Sequence, residues 1–261
     1  GLKYVHNDTC YPALLVIGQF IHALQSGKYD VHKVALMITQ TGGGCRASNY
    51  IFLLRKALKK AGFEFVPVIS LSFGMEKNSG FSLTLPLIRR FVGGLVYGDQ
   101  LMLLSNQTKP YEVNKGESMA LVADWSEKIS KMLIDGSGYT LEEIDENLDK
   151  ITKSFAEIEL NKVPKVKVGI VGEIYVKYSK MANNGLEEFL ASQDCEVCVP
   201  GLMGFASFKV DNRIEDSKLY GGTKLKSTFC KMLLDYLTKL EALMIESAKK
   251  YNFVPPHEYA H

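Results

Sequence analysis

The sequence has few of the features that mark secreted, membrane or nucleic-acid-binding proteins. Its 261 residues include only five cysteines, an odd number that argues against a disulfide framework and for reduced thiols. Apolar runs such as residues 13–17 are far too short to cross a membrane, and the N-terminus lacks the order of a signal peptide. The formal charge of +2 comes without a basic stripe interleaved with aromatics, so neither nucleic acid nor membrane is expected as a partner. These absences predict a cytoplasmic protein.

Several motifs of metal-dependent, nucleotide-binding and hydrolytic enzymes are also missing. The five histidines show neither H-E-x-x-H spacing nor a cysteine partner at zinc-finger spacing, so zinc is not expected. The sequence contains no G-x-S-x-G elbow of a serine hydrolase. The glycine run at residues 42–44 matches neither a Walker A loop nor G-x-G-x-x-G. The support for direct nucleotide binding at this run is therefore weak.

Repeating units of roughly thirty residues, the length of a strand followed by a helix, predict a parallel α/β fold. The apolar strand at residues 34–38 lacks polar alternation, which is typical of a sheet covered on both faces. We therefore predict a parallel Rossmann-like sheet flanked by helices. The predicted strands lie at 2–5, 34–39 and 66–71, and the helices that follow them lie at 12–25, 47–61 and 83–104.

The remainder of the chain predicts an added helical segment, a second α/β portion and a long C-terminal helix. The chain beginning within a strand also suggests a part of a larger protein. We expect helices at 117–133, 141–159, near 184–192 and at 223–251, a turn at 135–138, and strands at 167–171 and 196–199. We divide the chain into an α/β cysteine-bearing domain (1–115), a helical segment (116–163) and a second α/β portion (164–261), packed as one compact body.

Two cysteines occupy matching places in this repeat. Cys10 and Cys45 each follow a predicted strand and precede a helix, so both thiols are expected at the carboxyl edge of the sheet, where open α/β folds place their sites. A helix start favours a thiolate, and its N–H groups can hydrogen-bond the sulfides of a cluster. Two interpretations stay open: the thiols share a ligand, or they are small apolar residues packed under loops.

Neighbouring residues extend this candidate site. Gly42, Gly43 and Gly44 permit close approach of the backbone to a bulky inorganic group or an anion. Arg46 can pair with an anionic substrate group, or it is simply an exposed arginine at a helix start. Glu173 follows the strand predicted at 167–171 and would share the same sheet edge if that strand joins the sheet. There it can act as an acid or base, or cap a helix.

Three segments resemble a known family: NDTCYP at 7–12, TQTGGGCRASNY at 39–50 and VGEIYVKY at 171–178. Over nearly its whole length the chain resembles the C-terminal region of large acyl-CoA dehydratase activase-related proteins. It is more remotely similar to the subunits of (R)-2-hydroxyacyl-CoA dehydratase and benzoyl-CoA reductase. The resemblance implies an oxygen-sensitive iron-sulfur protein of anaerobes, in which a [4Fe-4S] cluster accepts one electron from an ATP-hydrolysing activator and passes it to a CoA thioester.

Within this resemblance, Cys10 and Cys45 match the first two cluster ligands, whereas no third ligand carries over. Cys195, Cys198 and Cys230 stand in no matching motif; two thiols three apart on a strand would also point to opposite faces. An upstream segment, a second subunit of a homodimer or a non-cysteine ligand can complete the cluster.

The expected function is an iron-sulfur electron-transfer or dehydratase-type module, part of an acyl-CoA dehydratase or reductase system. It would work with an ATP-dependent activator domain or protein on a CoA thioester. Two alternatives stay open. One is a non-catalytic docking or regulatory module of a larger activase, and the other is a small-anion-binding domain that uses the glycine turn.

Overall fold

The computed structural model describes residues 1–6, 8–39, 45–71 and 84–256, with Arg46 and Leu71 described by their backbone alone. This part of the chain is mostly helical, with nine α-helices covering 62% and two small two-stranded parallel sheets. The fold is α/β-like, but the full Rossmann-like sheet that we predicted is wrong. Two compact units form: Gly1–Leu83 with Ile174–Asn183, and Thr84–Glu173 with Asn184–His261. The predicted domain boundaries stay a prediction.

The described elements follow one another along the chain. In order they are α1 (Tyr11–Gln25), β1 (Leu36–Thr39), a 3-10 turn (Arg46–Asn49), α2 (Tyr50–Ala61), β2 (Val68–Leu71), α3 (Leu85–Thr108), α4 (Glu117–Asp135), α5 (Leu141–Ala156), β3 (Lys167–Gly169), α6 (Ile174–Tyr178), α7 (Leu186–Ser192), β4 (Glu196–Cys198), α8 (Leu202–Tyr220) and α9 (Lys224–Lys250).

In the first unit, α2 contacts the parallel pair β1–β2 and packs against α1, and apolar side chains of α1, β1 and α2 share one core. The strand pair begins at Leu36 opposite Val68. A proline occupies the first turn of α1, where its missing N–H costs nothing. Burial alternates along β1: Leu36 and Ile38 are buried, whereas Met37 and Thr39 are exposed. One face of this strand is therefore open, and the expected coverage of both faces is wrong.

The second unit is built around α3, a helix of 24 residues that packs against α4, α5, α8 and α9. Its core contains fully buried side chains such as Tyr97 and Phe155. A reciprocal pair of hydrogen bonds between Thr140 and Glu143 fixes the start of α5. The second sheet, β3–β4, is also parallel and pairs Lys167 with Glu196.

Two expectations about local structure are wrong. Residues 2–5 form a turn rather than a strand, because the N–H groups of Tyr4 and Val5 both donate to the carbonyl oxygen of Gly1 at 2.9 and 3.0 Å. The helix α8 is present where the sequence pattern predicted none. Within the described ranges, none of the helices has the length and apolar character needed to span a membrane.

Candidate thiol site at two helix starts

Cys10 and Cys45 occupy the same structural position in two different elements. Cys10 is the N-cap residue of α1, and Cys45 is the N-cap residue of the 3-10 turn that leads into α2. Both have extended backbones, with φ and ψ of −57° and 147° for Cys10 and −75° and 140° for Cys45. Both cysteines therefore precede a helical turn, as the sequence predicts, although residues 1–6 and 8–9 form no strand before Cys10.

The two sulfur atoms are not used to cap these helices. In the described structure neither cysteine side chain accepts a hydrogen bond from the backbone of its own helix. The first turn of α1 contains no acidic residue, and neither does the 3-10 turn after Cys45. The carboxylate nearest to these positions in the sequence is that of Asp8, two residues before Cys10, and it lies 3.7 Å from the ring nitrogen of His6.

A tyrosine links the first cysteine to the helix that follows the second. The sulfur of Cys10 lies 3.0 Å from the hydroxyl oxygen of Tyr50, close enough for a hydrogen bond in which either atom can donate. Tyr50 is the first residue of α2, five positions after Cys45. This contact brings Cys10 to the start of α2. Cys10 is half-buried and Cys45 is exposed, so one thiol is sheltered and the other is open to solvent.

Tyr175 of the third motif and Met181, three residues after that motif, both contact Gln19 of α1. The hydroxyl of Tyr175, in α6, donates to the side-chain oxygen of Gln19 at 2.8 Å. The side-chain amide of Gln19 in turn lies 3.7 Å from the sulfur of Met181. Helix α1 therefore carries Cys10 at its start and contacts Tyr175 of the VGEIYVKY segment through Gln19.

The other predicted site residues either lie outside the described residues or do not lie where the sequence predicted them. Gly42, Gly43 and Gly44 lie outside the described residues, and so does the side chain of Arg46. Glu173 is exposed and directly precedes α6, the position of a helix cap. Strand β3 pairs with β4 in a sheet separate from β1 and β2, so the expected common sheet edge is not formed in the described structure. The roles of these residues stay predictions.

The three remaining cysteines are half-buried and lie in the second unit. Cys195 precedes β4, and its sulfur is 3.6 Å from the carbonyl oxygen of Gln193. Cys198 ends β4, where burial and the nearby Glu196 carboxylate raise the pKa of its thiol. Cys230 lies in α9. Among the residues that the structure describes, no group of three or more His, Cys, Asp or Glu side chains could hold a metal ion.

If a cubane cluster binds this chain, Cys10 and Cys45 are the thiols at matching helix starts that would hold it. Two thiols can supply two of the four ligands that such a cluster takes. Sequence reasoning identified both thiols but gave Tyr50 no role, although this tyrosine closes the glycine-cysteine motif. Comparison with models of protein families, with curated proteins and with solved structures gives no significant match.

Proposed function

We propose that the chain is an iron-sulfur module in which Cys10 and Cys45 supply two ligands of a [4Fe-4S] cluster. The observation that carries this proposal is the shared N-cap placement of two cysteines, one of which contacts the helix following the other. A cysteine whose role is to pack in the core is buried, and that role requires no particular position at the start of a helix. The exposure of Cys45 therefore favours a ligand role over a packing role.

The bound cluster would supply one-electron transfer, and the chain's own residues would tune it. Both cysteines directly precede helical turns, whose first N–H groups could hydrogen-bond the sulfides of a bound cluster. The hydroxyl of Tyr50 can donate to the sulfur of Cys10, and such hydrogen bonds stabilise added negative charge. These contacts favour the reduced state of a cluster at this position.

The wider setting of the proposal comes from the family resemblance. The module would act in the cytoplasm of an anaerobe, with an ATP-dependent activator as electron donor and a CoA thioester as acceptor. Gly42, Gly43, Gly44 and Arg46 would contact the cofactor or the anionic part of the thioester, and Glu173 would serve as an acid or base. An upstream segment or a second copy would contribute the remaining ligands.

Anaerobic reconstitution with iron and sulfide tests the proposal. We expect the wild-type chain to incorporate iron and sulfide in equal amounts and the double variant Cys10→Ser, Cys45→Ser to incorporate neither. The matched control is the double variant Cys195→Ser, Cys198→Ser, which removes two half-buried thiols from the second unit and should incorporate as wild type does. Equal incorporation by all three chains contradicts the proposal, and no incorporation by the wild type contradicts the form of it in which a second copy supplies the remaining ligands.

A second candidate function, docking without chemistry, is favoured by two exposed aromatic residues in the first turns of α1 and α2. Tyr11 directly follows Cys10, Phe52 lies in the first turn of α2, and at least half of each side chain is exposed. Exposed aromatics of this kind are typical anchors of protein interfaces. If docking is the sole function, an activator binds the Cys10→Ser, Cys45→Ser variant normally but binds Tyr11→Ser, Phe52→Ser weakly.

A further inference from the structure

Two neighbouring arginines of the second unit lie beside one tyrosine ring. Arg89 and Arg90 occupy the second turn of α3, and the Cζ atoms of their guanidinium groups lie 5.9 and 5.6 Å from the ring centroid of Tyr139. Tyr139 directly precedes Thr140, the N-cap residue of α5. Both arginines and the tyrosine are half-buried. Two positive charges therefore share one partly sheltered place on this unit.

Neither arginine has a hydrogen-bond or ion-pair partner in the described part of the chain. The Nε atom of Arg90 is buried without any acceptor. Charged side chains that lose contact with water are ordinarily paired, because each guanidinium carries five N–H donors. The ring of Tyr139 attracts both charges, but it offers no strong acceptor for donors that lie in the plane of the guanidinium group. These donors are therefore available to a ligand.

The carboxylates next to this pair are engaged or directed elsewhere. The carboxylate of Glu143 accepts hydrogen bonds from the backbone N–H groups of Tyr139 and Thr140 at 3.1 and 3.0 Å. Asp135 is exposed and forms no ion pair within the described ranges. The Nη2 atom of Arg90 would lie 2.9 Å from a Cβ atom added at Gly136, so this guanidinium rests against the backbone of the α4–α5 turn.

We infer that Arg89 and Arg90 bind the phosphate group of a small molecule. A phosphate ester carries a charge of about −1.5 to −2 near neutral pH and three acceptor oxygens, which match two guanidinium groups. The planar fork of arginine fits phosphate oxygens with paired hydrogen bonds. A single carboxylate would balance only one of the two positive charges.

The position of the arginines in α3 supports an anionic ligand. The first turn of this helix contains no acidic residue, so the partial positive charge of the helix start adds to that of Arg89 and Arg90. A bound phosphate would remove this repulsion and satisfy the Nε donor of Arg90. The inference is independent of the iron-sulfur proposal, because all of these residues belong to the second unit.

Titration calorimetry of the metal-free chain with inorganic phosphate and with phenyl phosphate tests the inference. Salt at about 0.15 M screens weak attraction between exposed charges. We expect saturable binding of one phosphate per chain, weakened about tenfold or more in Arg89→Gln, Arg90→Gln, because charge-assisted hydrogen bonds are lost. The matched control is Lys128→Gln, Lys131→Gln, which removes two positive charges that pair with carboxylates of α4 and should bind as the wild type does.

A second variant and the two probes complete the test. Circular dichroism checks that the variants keep their helices, and Arg89→Lys, Arg90→Lys retains both charges but loses the planar fork, so its binding should also weaken. Tighter binding of phenyl phosphate than of inorganic phosphate identifies an organic phosphate as the ligand. Equal or weaker binding identifies free phosphate, and both results support the site. No saturable binding by the wild type, or variants of both arginines that bind as tightly as the wild type, overturn the inference.

Discussion

The carboxylate of Asp99 on α3 holds the start of α8 and leaves no room for a side chain at Gly201. Its two oxygens accept hydrogen bonds from the backbone N–H groups of Leu202 and Met203 at 2.9 and 2.7 Å. A Cβ atom added at Gly201 would lie 2.5 Å from the Oδ2 atom of Asp99, closer than such atoms approach. The buried carboxylate of Asp99 in the second unit therefore caps α8, which begins about a hundred residues later in the chain.

This geometry predicts that substitutions at Asp99 and Gly201 are not additive. Asp99→Ala should lower the free energy of unfolding by about 1–3 kcal/mol, because two buried N–H groups lose their acceptor. Gly201→Ala should cost about 1–3 kcal/mol through the clash with the carboxylate. In the double variant the alanine meets no carboxylate, so the total cost should fall below the sum. Urea denaturation of the four chains measures this coupling, and simple additivity would contradict it.

A second buried acid predicts how stability depends on acid pH. The side chain of Glu112 accepts hydrogen bonds from the backbone N–H groups of Gly116 and Ser118 at 2.6 and 2.9 Å, before and within the first turn of α4. Burial by itself raises the pKa of Glu112, but the hydrogen bonds from Ser118 and Gly116 outweigh it, and the pKa is lowered overall. The carboxylate therefore stabilises the folded state above the pKa of an unfolded glutamate, and this contribution is lost as the pH falls through the folded value.

Glu112→Gln should accordingly lower the free energy of unfolding by about 1–3 kcal/mol near neutral pH. The difference from the wild type should shrink as the pH falls below the pKa of an unfolded glutamate and on through the lower pKa of folded Glu112, because the wild-type carboxylate then becomes protonated. Chemical denaturation across this pH range gives the measurement, with Glu246→Gln at an exposed position of α9 as the control. A difference that stays constant with pH would show that the charge of Glu112 is unimportant.

Local sequence signals predicted most of the helices, because those helices carry their own start and stop signals. The α5 helix begins at a Thr140–Glu143 capping box, and α2 ends at Gly62 in the left-handed region with φ of 82°. The α8 helix escaped prediction because its apolar residues lie on several faces and its start is set by Asp99, which is remote in sequence. The residues within α8 give no sign of this contact with Asp99.

The sheet and the site were predictable only in part, because both depend on contacts between residues that are remote in sequence. Four of the predicted strands exist, but β3 and β4 pair with each other rather than extending the β1–β2 pair. The equivalence of Cys10 and Cys45 follows from chain spacing and was visible in the sequence. The contact between Cys10 and Tyr50 depends on how α1 and α2 pack, so sequence reasoning could not supply it.

The buried hydroxyl of Tyr97 predicts a loss of stability at alkaline pH. It donates to the carbonyl oxygen of Gly138 at 2.8 Å and accepts from the side-chain amide of Asn147 at 3.0 Å. Burial raises the pKa of Tyr97 from 10.0 to about 12. As the pH rises, the hydroxyl of Tyr97 therefore loses its proton at a lower pH in the unfolded chain than in the folded chain. Its stabilising contribution is complete below the unfolded pKa and is lost as the pH rises through the folded value.

Tyr97→Phe should lower the free energy of unfolding by about 1–3 kcal/mol near neutral pH, because Gly138 and Asn147 lose a buried partner. The variant should also lose less stability than the wild type between about pH 10 and pH 12. Denaturation at several alkaline pH values tests both points, with Tyr220→Phe at a side chain that is 83% exposed as the matched control. Equal alkaline slopes in the wild type and Tyr97→Phe would contradict the prediction.

The different exposure of the five thiols predicts the order in which they react with alkylating reagents. Cys45 is exposed, whereas Cys10, Cys195, Cys198 and Cys230 are half-buried. Brief treatment of the metal-free chain with iodoacetamide should therefore modify Cys45 first, since access limits the reaction of sheltered thiols. Peptide mass spectrometry identifies the labelled site, Cys45→Ser should remove the early label, and the denatured chain should lose the preference. Early labelling of Cys10 instead would mean that its contact with Tyr50 does not shelter the sulfur in solution, which would remove one support of the proposed cluster site.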